Sequence, residues 1–423
     1  MSCGLGNKPN RIKLYLSIHI FIVLQTSPYF KILSFLIILH LLPFSAIAQK
    51  TVKVVYPLDS LSLKTNITWL DRIFKDKISN NISCVGLGEF SHGGHENVAF
   101  KSKMIQYLIL NKNYRLILFE YPNVLLRDLN SYLLDHKSTD LTKIESIIHG
   151  TFGYDLSDTS LNDLIGWIKN YNLKHQTDPV SLAGIDIEGA LTTFGDYFNE
   201  HILNRIDVKK ASEFRLMFSK DKRDSLSIIE LAWFDKNKEL IKGKMESTQF
   251  QELLYNSQAA RQKMEHLLRQ KINQFSASAF RDSVMAENVM ARGSSRTILW
   301  SHNIHVTTSD FVVSLGNYLT PKFATKYYSI LTDFSKEANC WVMGNGGVLV
   351  SKKFVCNPKS TSFLVATSTK HTNGIVFHSD LYDKKRKAKF NDIDVYGNQR
   401  LVGSGRTFDA LVFFENVNPL QRP

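Results

Sequence analysis

The sequence predicts an α/β fold, in which helices flank a mainly parallel sheet and a mostly helical lobe is inserted. Short apolar, strand-like runs alternate with helical patterns over residues 49–190, and strand-like runs return over residues 295–423. This alternation is typical of βαβ units, whose strands pair in parallel. Residues 191–294 are helical in pattern and contain no proline, so we expect a helical insertion or cap on a core made of 49–190 and 295–423.

Each strand is predicted from a short run of aliphatic and β-branched residues, and each helix from apolar residues spaced three and four apart. The core begins with strand, helix and strand, continues with two helices and a strand, and resumes after the insertion with three strands. In chain order these elements are Ile82–Leu87, residues 96–110, Tyr114–Phe119, Val124–Leu134, Leu161–Leu173, Val180–Ile185, Thr297–Trp300, Tyr327–Leu331 and Ala410–Phe414.

The composition is that of a globular protein and excludes several classes. Of 423 residues, 43% are apolar and 22% are charged, which excludes a disordered, fibrous or disulfide-dense chain. Lysine and arginine outnumber aspartate and glutamate by 52 to 39. No stripe of basic residues interleaved with aromatic residues follows the N-terminal segment, so we expect no nucleic-acid partner.

Residues 1–48 have the features of a secretory signal peptide. Lys31 precedes the apolar run Ile32–Leu42, and Ala46-Ile-Ala48 supplies a cleavage site of the A-x-A type. A second apolar run, Leu14–Leu24, leaves a retained N-terminal anchor as the alternative. In either case the sequence predicts export to the periplasm or the extracellular side, with membrane contact only if this segment is retained.

Ionisable residues follow four of the predicted strands at the point where each strand ends. They are Glu89, Glu120, Asp186 and His302. The carboxyl ends of parallel strands meet at one edge of a sheet, where α/β proteins bind their ligands. One such coincidence carries little weight, but four of them indicate a site.

The densest polar cluster is the run from Gly88 to Glu96, which contains two histidines, two glutamates and three glycines. His92 is a candidate general base, because an imidazole with a pKa of about 6.5 accepts a proton from water at neutral pH, an effect worth ~10²–10⁴ in rate. Glu89 or Glu120 would fix its tautomer and stabilise the imidazolium. The alternative is a turn histidine that caps a helix.

Further polar residues are candidates for the same site, each with a structural alternative. Lys101 lies on the apolar face of its predicted helix, where it either holds carboxylates or an oxyanion, or snorkels to solvent. His302 is a candidate second acid or base or an oxyanion donor, whereas His305 is a binding or a purely structural residue. Arg281 and Asp282 form either an internal ion pair lining the cleft or an ordinary surface pair.

Several familiar motifs are absent from the sequence. It has no G-x-S-x-G, no Walker loop, no H-E-x-x-H and no cysteine spacing typical of zinc sites. We therefore expect no cofactor. A divalent-metal hydrolase remains an alternative, because mixed carboxylate and imidazole ligands suit zinc, manganese or iron; its ligands would come from Glu89, His92, Glu120, His302 and His305. An exported ligand-binding protein is the other alternative.

Three cysteines follow the signal segment, namely Cys84, Cys340 and Cys356. An odd number defines no disulfide framework. A single pair, Cys340 with Cys356, is possible in an oxidising compartment.

Six blocks of residues, taken in order, resemble the erythromycin esterase family. They span the chain from about Val85 to Phe414 and are Gly88–Gly93, Phe119-Glu120, Ala183–Asp186, Arg281–Asn288, Trp300–His305 and Phe408–Leu411. The resemblance implies an α/β core with helical additions. It also implies hydrolysis of a small-molecule ester or lactone, such as a macrolide antibiotic, by an activated water without a covalent intermediate.

The resemblance also implies roles for individual residues. His92 is the implied general base, with Glu89, Glu120 and His302 as the surrounding catalytic groups. We expect the remaining site residues to bind substrate; they are Lys101, His305, Arg281 and Asp186. The family's macrolide esterases carry an arginine where this chain has Lys101, and a lysine keeps the charge but loses the bidentate fork.

Overall fold

The structure is a computed structural model and describes residues 52–153, 156–218, 222–292, 296–308, 313–323, 326–381, 388–403 and 408–422. The predicted signal peptide or anchor, residues 1–48, lies outside the described residues and stays a prediction. Within the described ranges, no helix has both the length and the apolar character needed to cross a membrane.

Strands of the described residues form one large mixed sheet and one small hairpin. Their bounds are β1 Cys84–Leu87, β2 Leu116–Phe119, β3 Ser181–Gly184, β4 Thr297–Trp300, β5 Tyr327–Met343, β6 Leu349–Val355, β7 Gly374–Phe377, β8 Lys389–Ile393, β9 Gln399–Gly403 and β10 Ala410–Val417. The large sheet has the order β3-β2-β4-β1-β5-β10-β7, with β6 paired to the distal half of β5. Neighbours from β3 to β10 are parallel, whereas β7 and β6 run antiparallel to their partners.

Helices connect the strands and make up the segment between β3 and β4. Their bounds are α1 Thr68–Phe74, α2 His95–Lys112, α3 Asn123–Leu134, α4 Ile144–Phe152, α5 Thr159–Lys174, α6 Ala190–Tyr197, α7 Asn204–Ile206, α8 Val208–Met217, α9 Arg223–Lys236, α10 Lys238–Lys242, α11 Ser247–Ile272, α12 Gln274–Arg292, α13 Asn303–Val306, α14 Leu315–Phe323 and α15 Thr361–Thr369. A π-helical stretch, Phe198–Leu203, joins α6 to α7.

The central strands are apolar throughout because both faces of the sheet are covered. In β4, Ile298 and Trp300 face a cluster that includes side chains of α2, α3 and α5, whereas Leu299 faces a cluster with α12 and α14. A parallel sheet buried on both faces has such continuous apolar strands. The predicted α/β class with a mainly parallel, helix-flanked sheet is therefore confirmed.

The segment predicted as an insertion has an apolar cluster of its own. Its members run from Leu191 to Ala260 and include Phe194, Phe198 and Phe234, which contact one another through their rings. By their internal contacts, however, residues 51–423 group as one unit. The division into a core and an inserted lobe at 191–294 therefore stays a prediction.

Some element boundaries differ from the predicted ones. The strand at Thr297–Trp300 has the predicted bounds, but β5 continues to Met343, because its distal half is an antiparallel pair with β6. The sequence analysis missed β6, whose side chains are mostly exposed, and the short hairpin β8–β9. Among the described residues, Cys84, Cys340 and Cys356 are free thiols, so the possible Cys340–Cys356 disulfide is not formed.

Candidate active site

The four strands that the polar residues follow are neighbours in the sheet and end in register. Leu87 and Phe119 both align with Trp300, and Gly184 aligns with Phe119. Backbone hydrogen bonds continue past the strand ends, from Glu120 N to Trp300 O at 3.0 Å and from Asn303 N to Glu89 O at 2.8 Å. The side chains that follow the strands therefore start from one edge, as expected for a parallel sheet.

Glu89 lies at the centre of the first group of contacts. Its side chain is 1% exposed, its Oε1 lies 2.6 Å from His92 Nδ1, and its Oε2 accepts from Lys101 Nζ at 2.7 Å. Burial alone would raise the pKa of Glu89, but the Lys101 ammonium and the contact with His92 outweigh it and lower the pKa. Glu89 is therefore ionised at neutral pH and acts only as a hydrogen-bond acceptor.

Lys101 is fully buried and does not snorkel. Besides Glu89, its ammonium donates to Ser301 O at 2.9 Å and lies 4.8 Å from the centre of the Trp300 ring. The ammonium therefore lies between the Glu89 carboxylate and the loop after β4 and ties them together. Lys101 has no exposed surface and does not line the cavity described below. Its predicted role in substrate binding stays a prediction.

His92 lies at the mouth of this network, with 34% of its side chain exposed. Because ionised Glu89 can only accept, Nδ1–H of His92 donates to it, which leaves the Nε2 lone pair free for a proton. Burial disfavours the imidazolium, but the hydrogen bond to Glu89 and the charges of Glu89 and Glu120 outweigh that effect, so the pKa of His92 is raised. Helix α2 begins at His95 after Gly94, so His92 is not its cap.

Glu120 is the centre of a second group of contacts. Its Oε1 accepts from Arg281 Nη2 at 2.8 Å and lies 3.1 Å from His305 Nε2. Its Oε2 accepts from Ser301 Oγ at 2.6 Å and from His302 N at 2.8 Å. Burial would raise the pKa of Glu120, but His305 and Arg281 hold it well below its usual range. This carboxylate therefore ties the end of β2 to the loop after β4.

Arg281 and Asp282 do not form the predicted ion pair with each other. Arg281 makes a two-point contact with Asp186, at 2.8 Å and 2.5 Å, and also contacts Glu120. Asp282 lies 2.6 Å from His305 Nδ1 instead and accepts from Leu315 N at 2.7 Å. The prediction was wrong because adjacent residues of a helix project about 100° apart, and in these different directions lie two better partners, Asp186 for Arg281 and His305 for Asp282.

His305 is held between two carboxylates. Burial disfavours its charged form, but Asp282 and Glu120 outweigh that effect and raise the pKa of His305 to about 10. His305 is therefore protonated at neutral pH and donates from both ring nitrogens. It does not line the cavity, and its two ring nitrogens contact Asp282 and Glu120, so it holds Glu120 in place. Its predicted role in substrate binding stays a prediction.

His302 has a different environment, although it lies close to His92. The two ring centroids are 5.0 Å apart, and His302 is 5% exposed. Burial lowers the pKa of His302, so the ring is neutral at neutral pH. Two neighbouring imidazoles thus have pKa values shifted in opposite directions, which is the pattern that separates acid and base roles in many active sites.

A cavity of about 460 Å³ opens over these groups. Its lining combines ionisable groups, among them His92, Glu120, Asp186 and Arg281, with a larger apolar part. Its apolar lining comprises Tyr121, Pro122, Leu125, Trp341, Val342, Met343, Leu349 and Val395. This volume lies within the range of small-molecule sites, roughly 300–1,000 Å³. The part of this apolar lining from Trp341 to Val395 was missed, because it belongs to β5 beyond its predicted end and to the hairpins.

Close packing around Gly93 positions the His92 loop. A Cβ at Gly93 would lie 2.1 Å from Trp341 O, so only glycine fits. The carbonyl of Gly93 accepts from Trp341 N and from Leu420 N, each at 3.2 Å. Next to it, His95 donates its backbone N–H to Asn418 O at 2.8 Å. The loop is therefore held between β5 and the segment after β10, two contacts that the sequence analysis did not predict.

The described part of the chain contains no preformed site of the kind that a metal-dependent hydrolase would need. Across those residues, no group of three or more His, Cys, Asp or Glu side chains is arranged to hold a metal ion. Glu89, Glu120 and Asp186 are instead paired with the cations of Lys101, His305 and Arg281.

Comparisons with known proteins agree with this architecture. Solved structures with a similar fold include a Bacillus cereus protein from structural genomics, at 19% identity over 87% of this chain and 96% of that chain with a TM-score of 0.63. A succinoglycan biosynthesis protein is 18% identical over 89% and 97% of the two chains, with a TM-score of 0.64. A histidine-to-asparagine variant of erythromycin esterase EreC, in its open conformation, is 16% identical over 86% and 98%, with a TM-score of 0.62.

At these identities the solved structures establish the fold alone. A comparison with curated proteins gives no significant match. The model of the family described as erythromycin esterase matches residues 109–341, which is more than half of the 423 residues. This match includes Glu120, Asp186, Arg281 and the loop after β4, and it agrees with the resemblance found in the sequence. The chain belongs to the erythromycin esterase family.

Proposed function

We propose that this protein hydrolyses an ester or lactone with a water molecule activated by His92. Family membership supports the hydrolase class and a small-molecule substrate. One observation carries the mechanism. Ionised Glu89 contacts His92 Nδ1 at 2.6 Å, and the side chain of His92 lines the cavity. With Nδ1 committed to Glu89, the free Nε2 is available to take a proton from water.

In the proposed reaction, His92 Nε2 takes one proton from the water while the water oxygen attacks the carbonyl carbon. The resulting tetrahedral intermediate carries a negative oxygen, and Arg281, the guanidinium that lines the cavity, is the cation placed to stabilise it. The intermediate collapses when the bond to the alkoxide breaks and the His92 imidazolium returns its proton to that alkoxide. The products are a carboxylic acid and an alcohol, with no covalent enzyme intermediate.

The pH dependence of the rate follows from the state of His92. A general base must be unprotonated, and the pKa of His92 is raised above its usual value by its contacts with Glu89 and Glu120. We expect kcat/KM to rise with pH through a midpoint above about 6.5, with a slope of about one on the acid side. Initial rates between about pH 5 and about pH 9 would check this. A midpoint below the usual histidine value would contradict it.

The apolar lining of the cavity supports a substrate with a sizeable hydrophobic body. We propose a macrolide lactone or a comparable hydrophobic ester as the substrate class. The test is mass spectrometry after incubation of the protein lacking residues 1–48 with erythromycin, with simple γ- and δ-lactones and with p-nitrophenyl acetate. A product heavier than a lactone by one water, or release of nitrophenol, is the expected result.

The same experiment separates the alternatives. Turnover that is lost with EDTA and restored by zinc or manganese would replace our mechanism with a metal-dependent one. Saturable binding of a lactone without any product would replace hydrolysis with ligand capture.

Export, proposed from the features of residues 1–48, would present the protein with esters outside the cytoplasm.

A further inference from the structure

The hairpin β8–β9 brings a carboxylate, Asp392, to the side of His302. Asp392 is fully buried, and its neighbour Ile393 donates its backbone N–H to Phe90 O at 2.9 Å, next to the His92 loop. Arg400, directly opposite Asp392 on β9, donates from Nε to Asp392 Oδ2. The other carboxylate oxygen, Oδ1, has no hydrogen-bond donor among the described residues. The family match ends at residue 341, well before this hairpin.

The ring of His302, beside Asp392, also lacks hydrogen-bond partners among the described residues. Within the described residues neither of its buried ring nitrogens makes a hydrogen bond, yet Nδ1 lies 3.2 Å from Asp392 Oδ1. The distance suits a hydrogen bond, and only the angle does not. The backbone N–H of His302 is held by Glu120 at 2.8 Å, so the main chain keeps the ring beside Asp392. Buried polar groups this close are rarely left unpaired.

We propose that Asp392 is a positioning residue that holds the neutral His302 ring as its Nδ1–H tautomer. This inference rests on the proposed hydrolysis. A carboxylate can only accept, so the ring must donate from Nδ1, which leaves a lone pair on Nε2. Arg400 keeps Asp392 in place from the far side, in the way that groups behind a metal-bound or catalytic histidine set its orientation.

This tautomer decides between the roles that the sequence left open for His302. A neutral ring with Nδ1–H has no proton on Nε2, so it does not donate to an oxyanion. It accepts instead, as His92 Nε2 does. The two ring centroids lie 5.0 Å apart. His302 does not line the cavity, but His92 does, so in the proposed arrangement a single water molecule beside His92 donates one hydrogen to each Nε2. Both hydrogens are then held, and the water oxygen presents a lone pair to the carbonyl carbon.

The charges around His302 are compatible with this arrangement. Burial and the neighbouring His92 oppose a second proton on the ring, whereas Asp392, Glu120 and Glu89 favour it. The opposing effects are larger, so the pKa of His302 is lowered. In the reaction, the transferred proton therefore goes to His92, which is supported by ionised Glu89. His302 keeps its hydrogen bond to the attacking oxygen and orients it.

Nitrogen NMR of protein labelled with ¹⁵N-histidine tests the tautomer directly and without a substrate. The His302 signals are assigned by their loss in His302→Asn. We expect the wild type to show a protonated Nδ1 and a bare Nε2 for His302 at neutral pH. In Asp392→Asn, whose amide offers both a donor and an acceptor, the ring should shift towards a mixture with the Nε2–H form. A wild-type ring protonated on Nε2 would overturn the proposal, even if the variant failed to fold.

A matched control is Asp333→Asn. Asp333 is also fully buried and bonds Asn391, the neighbour of Asp392, but makes no contact with His302. This variant should leave the His302 tautomer unchanged. An equal tautomer change in both variants would assign the effect to general repacking and overturn the role of Asp392.

Kinetics extend the test once a substrate is in hand. We expect Asp392→Asn to lower kcat by ~10²-fold, the size of effect caused by misplacing a reacting group, with little change in KM. An unchanged kcat would overturn the role in catalysis. The tautomer is measured in the resting protein, so a protein that hydrolyses none of the esters would disprove the proposed function while leaving the Asp392–His302 contact established or refuted by NMR alone.

Discussion

Replacing His92 with alanine is expected to reduce hydrolysis by ~10²–10⁴-fold, the contribution of a positioned general base. The reason is specific to this side chain, because its Nε2 is the proposed base, with Nδ1 bonded to Glu89 and the side chain lining the cavity. About a third of the side chain is exposed, so its removal should leave the fold intact. Initial rates on the best ester, together with thermal unfolding, measure both effects.

A second histidine provides the control for this variant. His201 lies in the π-helical stretch, is partly exposed and has no contact with the catalytic groups. His201→Ala should retain full activity. If His92→Ala kept wild-type rates, the water-activation mechanism would be refuted. Loss of activity in both variants would point to a general effect on folding.

Replacing Lys101 with methionine is expected to lower the free energy of unfolding by about 3–5 kcal/mol, the cost of leaving a buried charge without its partner. Methionine keeps much of the shape of the side chain but removes the ammonium that contacts Glu89 at 2.7 Å. Activity should fall as well, because Glu89 would no longer be held in place to orient His92. Chemical denaturation and initial rates measure the two losses.

The pH dependence of this loss identifies its cause. In the wild type the pKa of Glu89 is lowered, so its contribution to stability is present above its unfolded pKa and is lost as the pH falls through the folded pKa. Without Lys101, burial is expected to raise the pKa of Glu89, and protonation then relieves the unpaired charge. The stability difference between the wild type and Lys101→Met should therefore shrink as the pH falls towards about 4.3, the usual pKa of a glutamate.

Lys103 offers the matched control on the same helix. It is also fully buried, but it donates to Ser62 O at 2.8 Å and to Thr65 O at 2.6 Å, and no carboxylate lies among its hydrogen-bond acceptors in the described residues. Lys103→Met should destabilise the protein, but its stability difference from the wild type should not shrink at low pH, and turnover should not be specifically lost. A difference between the wild type and Lys101→Met that stayed constant with pH would show that the unpaired charge is not the cause.

The central sheet was predictable because its strands are short, apolar and separated by helices. Strand β4 matches its predicted bounds, since Thr297–Trp300 is buried on both faces and its ends carry polar residues. The distal half of β5 and the hairpin β8–β9 were not predictable in the same way. Their polar and charged residues, such as Lys336, Glu337 and Asp392, resemble loop sequence, and they become strands only by pairing, β5 with β6 and β8 with β9.

The residues of the candidate site were predictable to the same extent, whereas their contacts were not. Glu89, Glu120, Asp186 and His302 were found because parallel strands end at a common edge, a rule that needs no knowledge of partners. The pairing of these residues was beyond the sequence, as Arg281 shows by contacting Asp186 and Glu120 and not its neighbour Asp282. Asp392 was missed entirely, because no strand was predicted where it lies.

The position of β4 between β2 and β1 has a consequence for how the protein folds. About two hundred residues separate β1 from β4, yet they are adjacent in the sheet. Until that later strand arrives, both of its neighbours present bare edges of backbone N–H and C=O groups, the kind of edge that recruits foreign strands. Contacts of such long sequence separation form slowly. Insertion of this four-residue strand therefore covers both of these edges and, in the same step, brings the loop that carries His302 beside Glu89 and Glu120.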